Sequence, residues 1–107
     1  MKAELEKLKA LSDRNRLRVV AALMNTSELC ACQISDLLGV SGATASRHMD
    51  LLIRSHLVES RKDGRWVHYK LSPSFPVPLF QWLAKPLSQD PQIKADLANV
   101  KQITGCA

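Results

Sequence analysis

A chain of 107 residues has room for one domain with a modest core and no second one. Hydrophobic residues make up 46% of it, which excludes a disordered tail, and no apolar run approaches membrane-spanning length. The formal charge is +5, and residues 41–70 carry much of it. There Arg47, Arg54, Arg61, Lys62, Arg65 and Lys70 stand against Asp50, Glu59 and Asp63, with His48, His56 and His68 among them. A basic surface over a compact segment is the footprint of nucleic-acid binding, while solvated surface charge is its bland alternative.

The opening residues, MKAELEKLKAL, are amphipathic rather than signal-like, so a cytoplasmic protein is expected. Three cysteines in a reducing compartment point to metal binding or redox chemistry rather than a disulfide framework. Leu5, Leu8 and Leu11 mark one side of a first helix. Asp13 is the expected N-cap of a second, whose buried stripe is Leu17, Val20, Ala21 and Met24. Arg14, Arg16 and Arg18 crowd its start, where the helix dipole disfavours cations; they face either a phosphate backbone or structural ion-pair partners.

Residues 28–52, ELCACQISDLLGVSGATASRHMDLL, form the centre of the chain. Ile34, Leu37 and Leu38 make one apolar stripe, and Ala45, Met49, Leu52 and Ile53 make another at helical spacing. Gly39 suits a left-handed helix end, and Ser41 suits the N-cap of the next helix. Helix, short glycine turn and capped second helix together are a helix-turn-helix signature, expected over about 31–55. Cys30 and Cys32 sit where its first helix begins, so DNA contact and a thiol sensor share one hinge.

Next comes a hairpin over about 58–71. Asp63-Gly64 predicts a type I′ turn with both residues at positive φ. Trp66, His68 and Lys70 then alternate with Val67, Tyr69 and Leu71, as in a half-buried strand. With Arg61, Lys62 and Arg65 at its tip, this ribbon is a wing able to lie along DNA. Leu79, Leu83 and Leu87 predict a further helix that Pro86 must end or kink. Asp90-Pro91 starts the last one, with Ile93, Leu97 and Val100 along its face. These terminal helices, about 76–103, have too few partners within one small domain. Dimerisation through them is expected, and a two-fold dimer suits two DNA half-sites. The predicted fold is therefore mainly α with a small β-hairpin: a single winged helix-turn-helix over 1–107.

These motifs resemble the ArsR/SmtB winged-helix repressors of bacteria, in their arsenic-responsive branch. LKALSDRNRLRVVAAL is similar to the family's opening helices, with Arg14 where proline is common. ELCAC resembles its metal box, SGATASRHMDLL its recognition helix and RKDGRWVHYKL its wing; the likeness covers roughly residues 5–72. It implies a homodimeric repressor on double-stranded operator DNA that is released when an inducer binds, with no permanently bound cofactor. In arsenite-sensing relatives the box reads Cys-x-Cys-x-x-Cys. Here Cys30 and Cys32 match, and the third position is Ser35, whose hydroxyl is a poor ligand for a soft element.

Two accounts of the ligand set stay open. Cys106 supplies a third sulfur, or the inducer needs only two, as methylarsenite would. Arsenite and antimonite are the three-sulfur candidates. Cadmium- and lead-sensing relatives share the box but draw on cysteines earlier in the chain, and none precedes Cys30. Zinc sensing through the last helix needs histidine, which residues 76–107 lack. Thiolates are favoured at helix starts, so both Cys30 and Cys32 are expected to ionise readily. Residues i and i+2 of a regular helix do not face one another. To grip one atom together, this helix must unwind its first turn or start later than the pattern suggests.

For DNA, Arg47 is the first choice, since arginine pairs bidentately with guanine in a major groove. Ser41 caps the recognition helix, Thr44 and Ser46 reach bases or phosphates, and Ala43 meets a thymine methyl. Arg61, Lys62 and Arg65 are placed on phosphates or in the minor groove. His48 is expected to be packed or hydrogen-bonded, and Trp66 and Trp82 to serve as core and interface residues. A thiol redox switch at Cys30 and Cys32 is the alternative reading. An enzyme is disfavoured, because no acid, base or cofactor motif accompanies the cysteines.

Overall fold

The structure is a computed structural model and describes residues 1–105, so Cys106 lies outside the described residues. The elements run α1 (Lys2–Leu11), α2 (Arg14–Met24), β1 (Leu29–Cys30), α3 (Ala31–Leu38), α4 (Gly42–Arg54), β2 (Val58–Asp63), β3 (Trp66–Leu71), α5 (Val77–Gln89) and α6 (Pro91–Gly105). This is a mainly α winged helix-turn-helix. Its sheet has three strands in the order β1-β3-β2, where the sequence pattern had predicted a two-stranded hairpin.

Asp13 caps α2 as expected, its Oδ2 accepting from the Arg16 N–H at 3.0 Å. The stripe behind it is broader than the four predicted positions: Val19, Val20, Ala21, Ala22 and Leu23 are all buried, while Leu17 and Met24 are half-buried. The three arginines at this helix start turn out to be structural. Arg14 donates to Gln92 (2.8 Å), Arg16 to the Ala10 carbonyl (2.6 Å), and Arg18 grips Asp96 with two bonds of 2.8 and 2.9 Å. His48 Nδ1 lies 3.2 Å from the Arg16 guanidinium, packed beside the apolar stripe.

At the centre, Ile34, Leu37, Ala45, Met49 and Leu52 meet the α2 stripe, Leu57, Val58 and Tyr69 in one core. Burying Ile34 or Leu52, neither of which is exposed, stabilises the fold by about 1.5–3 kcal/mol each. Gly39 ends α3 in the left-handed region (φ 66°), where its N–H and that of Val40 both reach the Ser35 carbonyl. Ser41 then caps α4 by accepting from the Thr44 N–H at 3.2 Å.

The wing register pairs Asp63 with Trp66, so the two turn residues are Gly64 and Arg65. Only Gly64 has positive φ (63°), the pattern of a type II′ turn with glycine first. The expected Asp63-Gly64 type I′ turn is therefore shifted by one residue. Tyr69 faces the core with Val67 and Leu71 beside it, and Trp66 and Lys70 face outward. Trp66 is 55% exposed and Trp82 70%, so neither is a core residue in this chain.

Helix α5 runs through Pro86 to Gln89 instead of ending there. Asp90 caps α6, accepting from the N–H groups of Gln92 (2.9 Å) and Ile93 (3.3 Å). Ile93 and Val100 are buried within the chain, against the expectation that α6 lacks partners. Among the described residues, large apolar side chains left exposed on the terminal helices include Leu5 and Leu8 on α1 and Val77, Phe80 and Trp82 on α5.

Candidate nucleic-acid interface and thiol site

The first turns of α4 present a polar exposed face. Ser41, Ala43, Ser46 and Arg47 are exposed and Thr44 is half-buried. The Ser41 hydroxyl donates to Thr44 Oγ1 at 3.1 Å, and Arg47 Nη2 reaches the same oxygen at 3.4 Å. Thus Ser41, Thr44 and Arg47 form one short polar chain at the N-terminal end of a helix held by a buried face. Beside α4, burial first and the Asp50 carboxylate second raise the Tyr69 phenol above its ordinary pKa, with the Ser46 hydroxyl acting in the opposite direction.

On the wing, Lys62 and Arg65 are exposed at the tip. Arg61 is engaged differently: its Nε and Nη2 donate to Glu28 at 3.0 and 2.7 Å, and His68 Nδ1 lies 3.6 Å from the same carboxylate. The Arg61 bonds come first in holding Glu28 below the usual carboxylate range, with the charges of His68 and Lys70 adding to them.

The thiols converge. Cys30 is the extended residue before α3 (φ −84°, ψ 163°), and the helix itself begins at Ala31. The two sulfurs therefore meet at 2.9 Å without any unwinding of α3. Of the two routes open from the sequence, the later helix start is the one adopted. Cys30 also takes the place of serine in a capping box: its sulfur faces the Gln33 N–H, while Gln33 Oε1 accepts from the Cys30 N–H at 2.8 Å. Cys30 is buried and Cys32 exposed, and both are free thiols. The expectation that both ionise readily is corrected at Cys32. Its hydrogen bond with Cys30, followed by partial burial, raises that thiol above its ordinary pKa, outweighing the N–H groups of the helix start.

Ser35 stands apart from this pair. Its hydroxyl donates to the Val40 carbonyl at 2.6 Å and so closes the turn between α3 and α4. An open cavity of about 370 Å³ adjoins Cys30, with Gln33, Glu28, Trp66 and His68 on its walls. Sequence reasoning missed Glu28, Gln33 and the strand β1. The Cys30-x-x-Gln33 spacing was the signal for the capping box, obscured because cysteine replaced the usual hydroxyl. No comparable signal exists for a two-residue strand.

The arrangement of capped reading helix, supporting helix and basic wing defines a winged helix-turn-helix regulator of the DNA-binding class rather than an enzyme. The family model described as bacterial regulatory protein, arsR family, matches residues 13–60. An arsenic resistance transcriptional regulator of Pseudomonas putida is 33% identical over 98 residues, covering 91% of this chain and 85% of its own length. The chain belongs to the ArsR family of bacterial regulatory proteins. The arsenical resistance operon repressor of Escherichia coli is 42% identical over 81 residues, 76% of this chain. A cadmium resistance regulatory protein of Listeria innocua is 46% identical over 61 residues, 57% of this chain. This chain spans only 66% and 51% of those two relatives' lengths. Among solved structures, HlyU from Vibrio cholerae superposes with a TM-score of 0.72 at 28% identity, covering 82% of this chain and 95% of its own.

Proposed function

We propose that the protein is a cytoplasmic transcriptional repressor which binds operator DNA as a homodimer and is released by trivalent arsenicals held on Cys30 and Cys32. The observation that carries this reading is the pair of free sulfurs at 2.9 Å, placed at the start of the helix that supports the reading helix. Arsenical-resistance relatives support the choice of element, and soft sulfur donors suit it chemically. Arg47 reads bases from α4, with Ser41, Ala43, Thr44 and Ser46 around it, and Lys62, Arg65 and Arg61 meet phosphates from the wing. The exposed apolar residues of α1 and α5 are the surface for the second copy.

Induction follows from geometry. With metal–sulfur bonds of about 2.3 Å, two sulfurs on one atom stand roughly 3.3–3.8 Å apart, farther than the present 2.9 Å. Ligation therefore spreads the pair and withdraws the Cys30 sulfur from its capping position at α3. Helix α3 supports α4, so inducer and operator oppose one another by the same factor in both directions. Two sulfurs suffice for methylarsenite; arsenite or antimonite gains from a third, the role assigned to Cys106.

The test is operator release under strict reducing conditions, titrating arsenite, antimonite, methylarsenite, cadmium and peroxide. Release by the arsenicals without oxidant is expected, and Cys30→Ser or Cys32→Ser should bind DNA yet fail to respond. Release by peroxide alone would favour the redox switch, and release by cadmium alone a cadmium sensor. Cys106→Ser should lower potency for arsenite and leave methylarsenite unchanged.

A further inference from the structure

The sheet register places three chemically distinct side chains in one row. Cys30 of β1 pairs with His68 of β3, and His68 pairs with Arg61 of β2. Residues directly opposed in a sheet share a face, so thiol, imidazole and guanidinium line up across the three strands. Glu28, two positions before Cys30, closes over this row. Its carboxylate takes two bonds from Arg61, at 2.7 and 3.0 Å, and lies 3.6 Å from His68 Nδ1.

We propose that Glu28 is a positioning residue that joins the thiol pair to the wing, so that a ligand on Cys30 and Cys32 moves Arg61 and His68 as well as α3. This rests on the thiol-sensing reading given above. An exposed ion pair adds little to stability, so what Glu28 supplies is geometry. The planar guanidinium fixes the carboxylate in direction as well as distance, which one point charge on another would not. Strand β1 has only two residues and two pairings, the least anchored part of the sheet. When the sulfurs spread, the strain falls on this strand, and the side-chain grip carries its displacement to β2. A wing cation that faced phosphate is thereby turned or drawn off.

The quantity to measure is the coupling factor, the ratio of operator Kd with saturating methylarsenite to that without it, taken within each variant. Glu28→Gln and Arg61→Gln should each reduce this ratio by about fivefold or more, within the span of ordinary allosteric couplings. The double variant should lose no more than either single one, as expected for two ends of one contact. Methylarsenite affinity of the DNA-free protein should change by less than about twofold, because neither residue is a ligand.

Glu59→Gln is the control for charge alone, since Glu59 stands on the neighbouring rung of the same sheet face, where its ion-pair partner is Lys70 at 4.0 Å rather than Arg61. Wild-type coupling in Glu28→Gln, an equal loss in Glu59→Gln, or additive losses in the double variant would each overturn the proposal. If Cys30→Ser and Cys32→Ser stay inducible, the thiol reading itself falls and this proposal with it. If they lose induction while Glu28→Gln keeps full coupling, only the Glu28 link is refuted.

Discussion

Around Arg18 the contact between α2, α3 and α6 is mostly buried. Asp96 is 1% exposed, and its carboxylate accepts from Arg18 at 2.8 and 2.9 Å and from Gln92 at 3.0 Å. Arg18 also reaches the Leu37 carbonyl at 3.0 Å, tying the end of α3 into the same knot. Around Glu28 the polar ties are similar in number and length, yet they lie at the surface, next to a two-residue strand. Buried polar groups must stay paired because unpairing them in a low-dielectric interior is expensive; exposed ones trade partners with water at little cost. The C-terminal end of α3 is thus held by buried ties, and its N-terminal end adjoins ties that lie at the surface.

If this division holds, substitutions in the buried knot should change stability and leave sensing intact, and those on the reading face the reverse. The largest effect is expected from Asp96→Ala. It strands the Arg18 guanidinium in a mostly buried site and should cost about 3–5 kcal/mol in urea unfolding. A loss below 1 kcal/mol would mean that water reaches Arg18 freely. Next, Arg47→Ala should weaken operator binding by about 1–3 kcal/mol while sparing random duplex and thermal stability. Equal losses on both duplexes would remove Arg47 from base reading. Smaller again, Lys62→Ala should lower the salt slope by about one phosphate contact per wing. An unchanged slope would leave the exposed wing tip without a phosphate role for this residue.

Most of the frame was legible because its signals are local. Asp13, Gly39, Ser41 and Asp90 mark helix ends by side-chain chemistry that works within three residues, and each performs that role. The apolar periods of α3 and α4 likewise depend on neighbours one turn away. What escaped was set by partners distant in sequence. Arg18 and Asp96 are separated by 78 positions, and Arg61 and Glu28 by 33, so nothing in either segment announces the other. The thiol site was half visible: the Cys30 and Cys32 spacing was plain, but their approach depends on β1 pairing with β3, a contact with no local pattern. Turn chemistry misled once, since Asp63-Gly64 and Gly64-Arg65 are both acceptable hairpin centres and the strand register chose the second.

The smallest predicted effect concerns the Asp13 cap, which belongs to the frame yet is half exposed. Burial alone would raise its carboxyl, but the Arg16 N–H, the Arg16 and His48 charges and the Asn15 N–H together hold it below the ordinary value of 3.8. A carboxyl whose folded pKa lies below its unfolded one stabilises the fold above the unfolded value, and that contribution disappears as pH falls through the folded one. Asparagine caps about as well without titrating, so at pH 7 Asp13→Asn should change stability by only a few tenths of a kcal/mol. Between about pH 5 and 2, wild type should lose stability more steeply than Asp13→Asn, bringing the urea midpoints together or reversing them. Operator affinity at neutral pH should be the same in both. Parallel acid profiles would show that the Arg16 and His48 contacts do not favour the charged carboxylate. A drop in operator affinity without loss of stability would place Asp13 with the reading face and break the division between the two regions.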